Sequence, residues 1–154
     1  MPYEIEVRNV SSQPIAVVRG RTTPATIANS IRTLYGKVYP VPAYAGKPGL
    51  NIVYYPNNSC TKDDFPLEAG VQVDAPFSAD GDLVCSATPA GTVATTAYFG
   101  DYSAMAPAHG AIHAWAKENG RKLAGPSWEV YGHWNDRPEH RRTDIFYLLA
   151  GCPA

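Results

Sequence analysis

Gly125-Pro126-Ser127-Trp128-Glu129-Val130-Tyr131-Gly132 is the stretch on which the reading of this chain turns. A Gly-Pro turn leads into a run of aromatic and β-branched residues, which is the signature of a strand. Successive strand residues alternate between faces, so Ser127, Glu129 and Tyr131 point one way and Trp128 and Val130 the other. Glu129, the one charge in the run, shares its face with a tyrosine and has large rings on either side. A carboxylate so placed is either a surface residue or an anion aimed into an apolar pocket.

Upstream of this strand, residues 101–120 read as a helix with Met105, His109, Ile112, Trp115 and Ala116 on adjoining turns, ending at Asn119-Gly120. Pro107 conflicts with an early start, so the helix is either kinked there or begins late, leaving Tyr102–Ala106 as a short turn. Downstream, a charged loop from Asn135 to Arg142 leads to a last strand, Thr143–Leu149. Strands at Leu83–Thr88 and Thr92–Phe99 precede the helix, the first after a turn at Ala79–Asp82 and the second after Pro89-Ala90-Gly91.

The first half has the same order. Tyr3–Val7 and Ile15–Gly20 alternate as strands, and Thr23-Pro24 starts a helix carrying Ile27, Ile31, Leu34 and Tyr35. A proline-bearing loop spans Gly36–Gly49, and the strands Leu50–Tyr55 and Leu67–Val73 flank a polar loop at Pro56–Pro66. Ile15 aligns with Val93, Ile52 with Trp128 and Gly70 with Ile145, a shift close to half the chain. The expectation is an α+β fold of duplicated β-α-β-β units, roughly 1–76 and 77–154, related by a pseudo-two-fold axis. Antiparallel sheets and helices then surround a central cleft, within one domain spanning 1–154. In this alignment Val53 stands opposite Glu129 and Tyr55 opposite Tyr131, an apolar wall facing a carboxylate.

Composition excludes several classes. The chain has 154 residues, a formal net charge of −1 and no block of Lys or Arg, so it carries no electrostatic footprint for nucleic acid. No run approaches the ~18 apolar residues of a membrane span, and Met1–Val7 lacks a leader's basic and apolar regions, which reads as cytoplasmic with no membrane partner. Three widely spaced cysteines, Cys60, Cys85 and Cys152, make neither a zinc nor a disulfide framework. His109 and His113 stand at i, i+4, and His133, Asp136 and His140 share a loop. The first pair is too few for zinc, and the second set is flanked by Arg137, Arg141 and Arg142. No metal or cofactor is expected. A homodimer is compatible with the sequence.

In this order and spacing, Pro89-Ala90-Gly91, Gly100-Asp101-Tyr102, Ala114–Gly120, Ala124-Gly125-Pro126, Trp128–Tyr131, Asn135-Asp136 and Thr143–Tyr147 resemble the GyrI-like small-molecule-binding domain. Leu67–Val73 fits the same family's acidic-Gly-Val strand, and the likeness covers nearly the whole chain. This is the domain of gyrase-inhibitory protein and the effector-binding half of AraC-type and MerR-type multidrug-sensing regulators. The resemblance implies a cleft for lipophilic cations with Glu129 at its base. Tyr131, Phe146, Tyr55, Tyr102, Val53 and Tyr98 are expected around the ligand, together with Asp144, at a position often acidic in the family. Phe146 departs from the tyrosine common there, and no helix-turn-helix module accompanies the domain. The resulting expectation is a stand-alone binding protein for an apolar, cationic aromatic molecule. Two alternatives stay open: a hydrolase of reactive cyclopropane-bearing xenobiotics, with Glu129 and Tyr131 catalytic, and a gyrase-inhibitor-like interaction module.

Overall fold

The computed structural model describes residues 3–23, 26–27, 29–31, 49–56, 65–76, 83–132 and 136–151. Its alternating segments form eight strands: β1 (Glu6–Val10), β2 (Pro14–Thr22), β3 (Asn51–Tyr55), β4 (Phe65–Gln72), β5 (Leu83–Ala87), β6 (Gly91–Phe99), β7 (Leu123–Tyr131) and β8 (Arg142–Leu149). They hydrogen-bond into a single sheet of order β1-β6-β8-β7-β3-β4-β2-β5, and every pairing is antiparallel. With the helix α1 (Ala106–Glu118) and helical residues at 27 and 29–31, the architecture is α+β. The two sheets expected from the sequence are thus one. β3 and β7 join its halves in register, with Val53 opposite Glu129 and Tyr55 opposite Ser127.

Both faces of the sheet carry apolar cores: β2, β3, β4, β6 and β7 bury consecutive residues, whereas β8 buries only Thr143, Ile145, Tyr147 and Leu149 and β1 is largely exposed. On one face, Ala94, Ile145, Tyr147 and Leu149 pack with Met105, Ala108 and Ile112 of α1. On that same face, Val53, Tyr55, Leu67 and Ala69 form a second core, against which Ile27 and Ile31 pack. The opposite face holds Ile15, Val17, Ile52, Tyr54, Val93, Trp128 and Val130. There Trp128 stacks on Phe146 with centroids 5.5 Å apart and planes 12° from parallel, and Tyr54 meets Trp128 edge-on at 6.1 Å. Burial and the charge of Glu68 raise the Tyr54 phenol above its ordinary value.

α1 takes the late start that Pro107 allowed. Met105 is its N-cap residue, proline occupies the first turn where no N–H is needed, and Tyr102–Ala104 form a separate 3-10 turn. The helix closes at Asn119, with Gly120 at φ +62° and the Arg121 amide donating to the Ala116 carbonyl at 2.8 Å. At Thr23, whose carbonyl accepts from the Thr26 amide at 3.1 Å, the chain turns as a helix start requires. Pro24, Leu34, Tyr35 and the segments 36–48, 57–64 and 77–82 lie outside the described residues, as do Cys60 and Cys152.

Several boundaries differ from expectation: β2 runs on to Thr22, and β4 starts at Phe65, two residues early. β1 begins at Glu6, three residues late, because ladder pairing with β6 starts at Glu6–Thr95. Before that point the chain is tied by the Thr96 hydroxyl, which donates to the Glu4 carbonyl at 2.9 Å. Gly125-Pro126 lies inside β7 instead of in a turn ahead of it. The β7–β8 register shifts between Leu123 and Ser127, and Gly125 sits at φ +122°, a bulge that accommodates a proline without a ladder N–H. Among the described residues no helix is long and apolar enough to cross a membrane.

Candidate functional site

The alternation read from residues 127–131 holds in the structure, and it puts Glu129 under α1. Glu129 pairs in register with Ile145 of β8 and Val53 of β3, both fully buried on the helix-bearing face. The carboxylate is itself only 7% exposed. Desolvating an anion this far is costly unless donors compensate, and two do so. The Tyr131 hydroxyl donates to Oε1 at 2.5 Å, and His109 Nε2 lies 2.5 Å from Oε2. Tyr131 packs against both cores of this face, so the carboxylate stands where the two cores meet.

The network continues past the imidazole. His109 Nδ1 lies 2.7 Å from the Tyr147 hydroxyl, and the two rings meet edge to face at 5.6 Å. An ionised carboxylate only accepts, so Nε2 carries the hydrogen on the Glu129 side. In a neutral imidazole, Nδ1 then accepts from Tyr147. In an imidazolium, Nδ1 donates to the same oxygen. His113, one turn along α1, also sets its ring edge-on to Tyr147, at 5.0 Å. Burial and then the neighbouring His109 lower the His113 pKa, which favours its neutral form.

Around this chain of groups, Tyr102 stands at the rim, 38% exposed, with its ring 5.3 Å from Tyr131. Tyr55 is buried on the same face against Phe65, and Val53 is buried beside Glu129. Tyr98 is buried on that face as well, its hydroxyl donating to the Asp101 carbonyl at 2.7 Å. Six of the eight expected site residues therefore lie on the Glu129 face.

Phe146 and Asp144 do not. They alternate with Ile145 on β8 and point to the opposite face, where Phe146 stacks on Trp128 and Asp144 accepts from Arg142 Nε at 2.9 Å. Both line an open recess of about 290 Å³ there, together with Arg8, Thr95, Phe99 and Arg142. From the sequence alone their parity with Tyr147 was visible, but which parity faced the helix was not. His109 is the residue that sequence reasoning passed over, having weighed it only as a metal ligand with His113. A signal was present, because His109 falls on the buried stripe of Met105, Ala108, Ile112 and Ala116, and a histidine there needs polar partners. Among the described residues no three His, Cys, Asp or Glu side chains converge as a metal site. His133 of the loop set lies outside those residues, and His140 is exposed.

The GyrI-like small molecule binding domain family model matches residues 3–149. No curated protein matches the chain. Among solved structures, the crystal structure of the EcmrR C-terminal domain is similar at a TM-score of 0.72 and 18% identity, covering 97% of this chain and 99% of that one. EcmrR in its DNA complex is similar at 0.76 and 15%, over 96% of this chain but only 57% of that longer chain. SAV2435 bound to tetraphenylphosphonium is similar at 0.71 and 13%, over 96% and 94%. At these identities the likeness to the solved structures is one of fold.

Proposed function

Because this chain belongs to the GyrI-like small-molecule-binding family, we propose that it takes an apolar, cationic aromatic ligand in a cleft on the helix-bearing face, with Glu129 as counter-anion. One observation carries this reading. Glu129 is buried where two apolar cores meet, and its partners among the described residues are a histidine and a tyrosine, with no Lys or Arg. A carboxylate left without a fixed cation in such a place is poised to receive one. Tyr131 and Tyr102 offer ring faces for a cation at the opening. The tetraphenylphosphonium complex of SAV2435 supports the choice of ligand class.

The same geometry favours binding over hydrolysis. Each carboxylate oxygen is already engaged by a short hydrogen bond, so a water to be activated would have to share it with His109 or Tyr131. We also read the fold as duplicated. The sheet order stays the same when β3 is exchanged with β7, β4 with β8, β2 with β6 and β5 with β1. On this reading the first strand of each half pairs with the second strand of the other, and the axis passes between Val53 and Glu129. The halves then contribute unequally at the axis, a valine from one and the anion from the other.

Titration of intrinsic fluorescence with tetraphenylphosphonium and with neutral triphenylphosphine oxide tests the binding reading. Saturable binding is expected for both, about thirtyfold or more tighter for the cation at pH 8, the ratio set by an ion pair of some 2 kcal/mol. Equal affinities, or consumption of either compound beyond the protein concentration, would contradict it.

A further inference from the structure

His109 stands where a bound cation would be needed. Its Nε2 is 2.5 Å from Glu129 Oε2, and it is 22% exposed at the side chain, against 9% for Glu129. Histidine is the side chain whose charge ordinarily changes between pH 5 and 8. Here both of its charge states are accommodated without moving a heavy atom, because the Tyr147 hydroxyl can either donate to Nδ1 or accept from it. The Tyr131 hydroxyl holds the other carboxylate oxygen in either state. The site therefore has two net charges available to one geometry: −1 with a neutral imidazole, and zero with an imidazolium.

We propose that His109 determines the charge class of ligand this site accepts, acting as an internal counter-cation that a cationic ligand must discharge. This rests on the reading of Glu129 as the ligand's counter-anion. A cation entering beside Glu129 favours the neutral imidazole, so its binding releases a proton, whereas a neutral aromatic binds with the proton retained. The groups facing His109 are consistent with a single exchangeable proton. Among the described residues these are Glu129 from β7, with Tyr131 on its other oxygen, Tyr147 from β8, and His113 from its own helix. The tyrosines ordinarily stay neutral over pH 5–8, and burial, then His109, lowers the His113 pKa, so His113 takes up its proton at lower pH than a free imidazole.

The sign follows from the linkage. Lowering the pH fills the imidazole and weakens cation binding, toward a limit of about tenfold per pH unit for one displaced proton. Isothermal titration of tetraphenylphosphonium into the full chain, between pH 5.5 and 8 in two buffers of different ionisation enthalpy, counts that proton directly. Tetraphenylphosphonium has no proton of its own to confuse the count. The expected result is proton release on cation binding that grows as the pH falls, toward one proton per cation, with triphenylphosphine oxide releasing none. In His109→Gln both the release and the pH dependence should vanish, whatever affinity the variant keeps for the cation. Should this variant not fold, the wild-type proton count stands alone as the test. Cation binding that Glu129→Gln weakens but that moves no proton in wild type would overturn the role of His109 while leaving the counter-anion reading intact. Proton release that survives His109→Gln would also overturn it. Cation binding indifferent to Glu129→Gln would overturn both.

Discussion

Gly70→Ala is expected to cost about 3 kcal/mol or more, and to lower the melting temperature by roughly 6–12 °C at the ~2–4 °C per kcal/mol usual for a chain of this size. A Cβ built at Gly70 would lie 1.8 Å from the Ala16 carbonyl oxygen and 2.8 Å from Val17 Cα. Those atoms are backbone of the neighbouring strand, so no side-chain rotation can make room. β2 and β4 are paired from Ile15–Gln72 to Thr22–Phe65, and Gly70 also pairs with Ile52 of β3. Separating β2 from β4 would open the ladder beneath the core of Ala16, Val18, Leu67 and Ala69. Gly110→Ala is the control. It lies in α1 with nothing within 4 Å of its added methyl, and should stabilise by about 0.5–1 kcal/mol through helix propensity. Thermal unfolding of the three proteins checks both signs; a Gly70→Ala protein melting within ~2 °C of wild type would contradict the close approach.

Glu129→Gln is expected to weaken a lipophilic cation by thirty- to a hundredfold, about 2–3 kcal/mol, while changing affinity for a neutral analogue less than threefold. The amide is close in shape to the carboxylate and can keep both of its bonds. Its oxygen can accept from His109 Nε2–H, and its NH₂ can donate to the Tyr131 oxygen once the hydroxyl rotates. Only the charge is lost, so the change isolates the electrostatic part of binding from packing and fold. Titrations of both ligands at pH 8, where an imidazole is ordinarily neutral, make the comparison. Equal losses for cation and neutral analogue would show that residue 129 contributes shape alone.

The parts of this picture that local physics controls were legible in the sequence. Two-residue periodicity placed Glu129 and Tyr131 together and Trp128 and Val130 apart, because a strand leaves no other choice. Pro107 and Gly120 marked the ends of α1, since one lacks an N–H and the other adopts a left-handed conformation without strain. What was not legible was long-range. Phe146 and Asp144 are expected at the ligand only through the resemblance, and β8, with Ile145, Tyr147 and Leu149 on one side and Phe146 and Leu148 on the other, does not itself say which side carries the helix. The pairing of β1 with β6 and β5 with β2 left no mark in either segment. His109 meets Glu129 across twenty residues of chain, through the packing of α1 on β6 and β8, and no spacing rule anticipates that contact.

Locating a bound cation by its own scattering tests the central claim most directly. Crystals grown with tetraphenylarsonium, measured at the arsenic absorption edge, would give a single anomalous peak per chain. The account predicts that peak on the helix-bearing face, within about 6 Å of the Glu129 carboxylate, the range over which opposite charges pair. A peak in the recess beside Phe146, Asp144 and Phe99 on the opposite face would contradict it, and so would a peak among residues remote from Glu129.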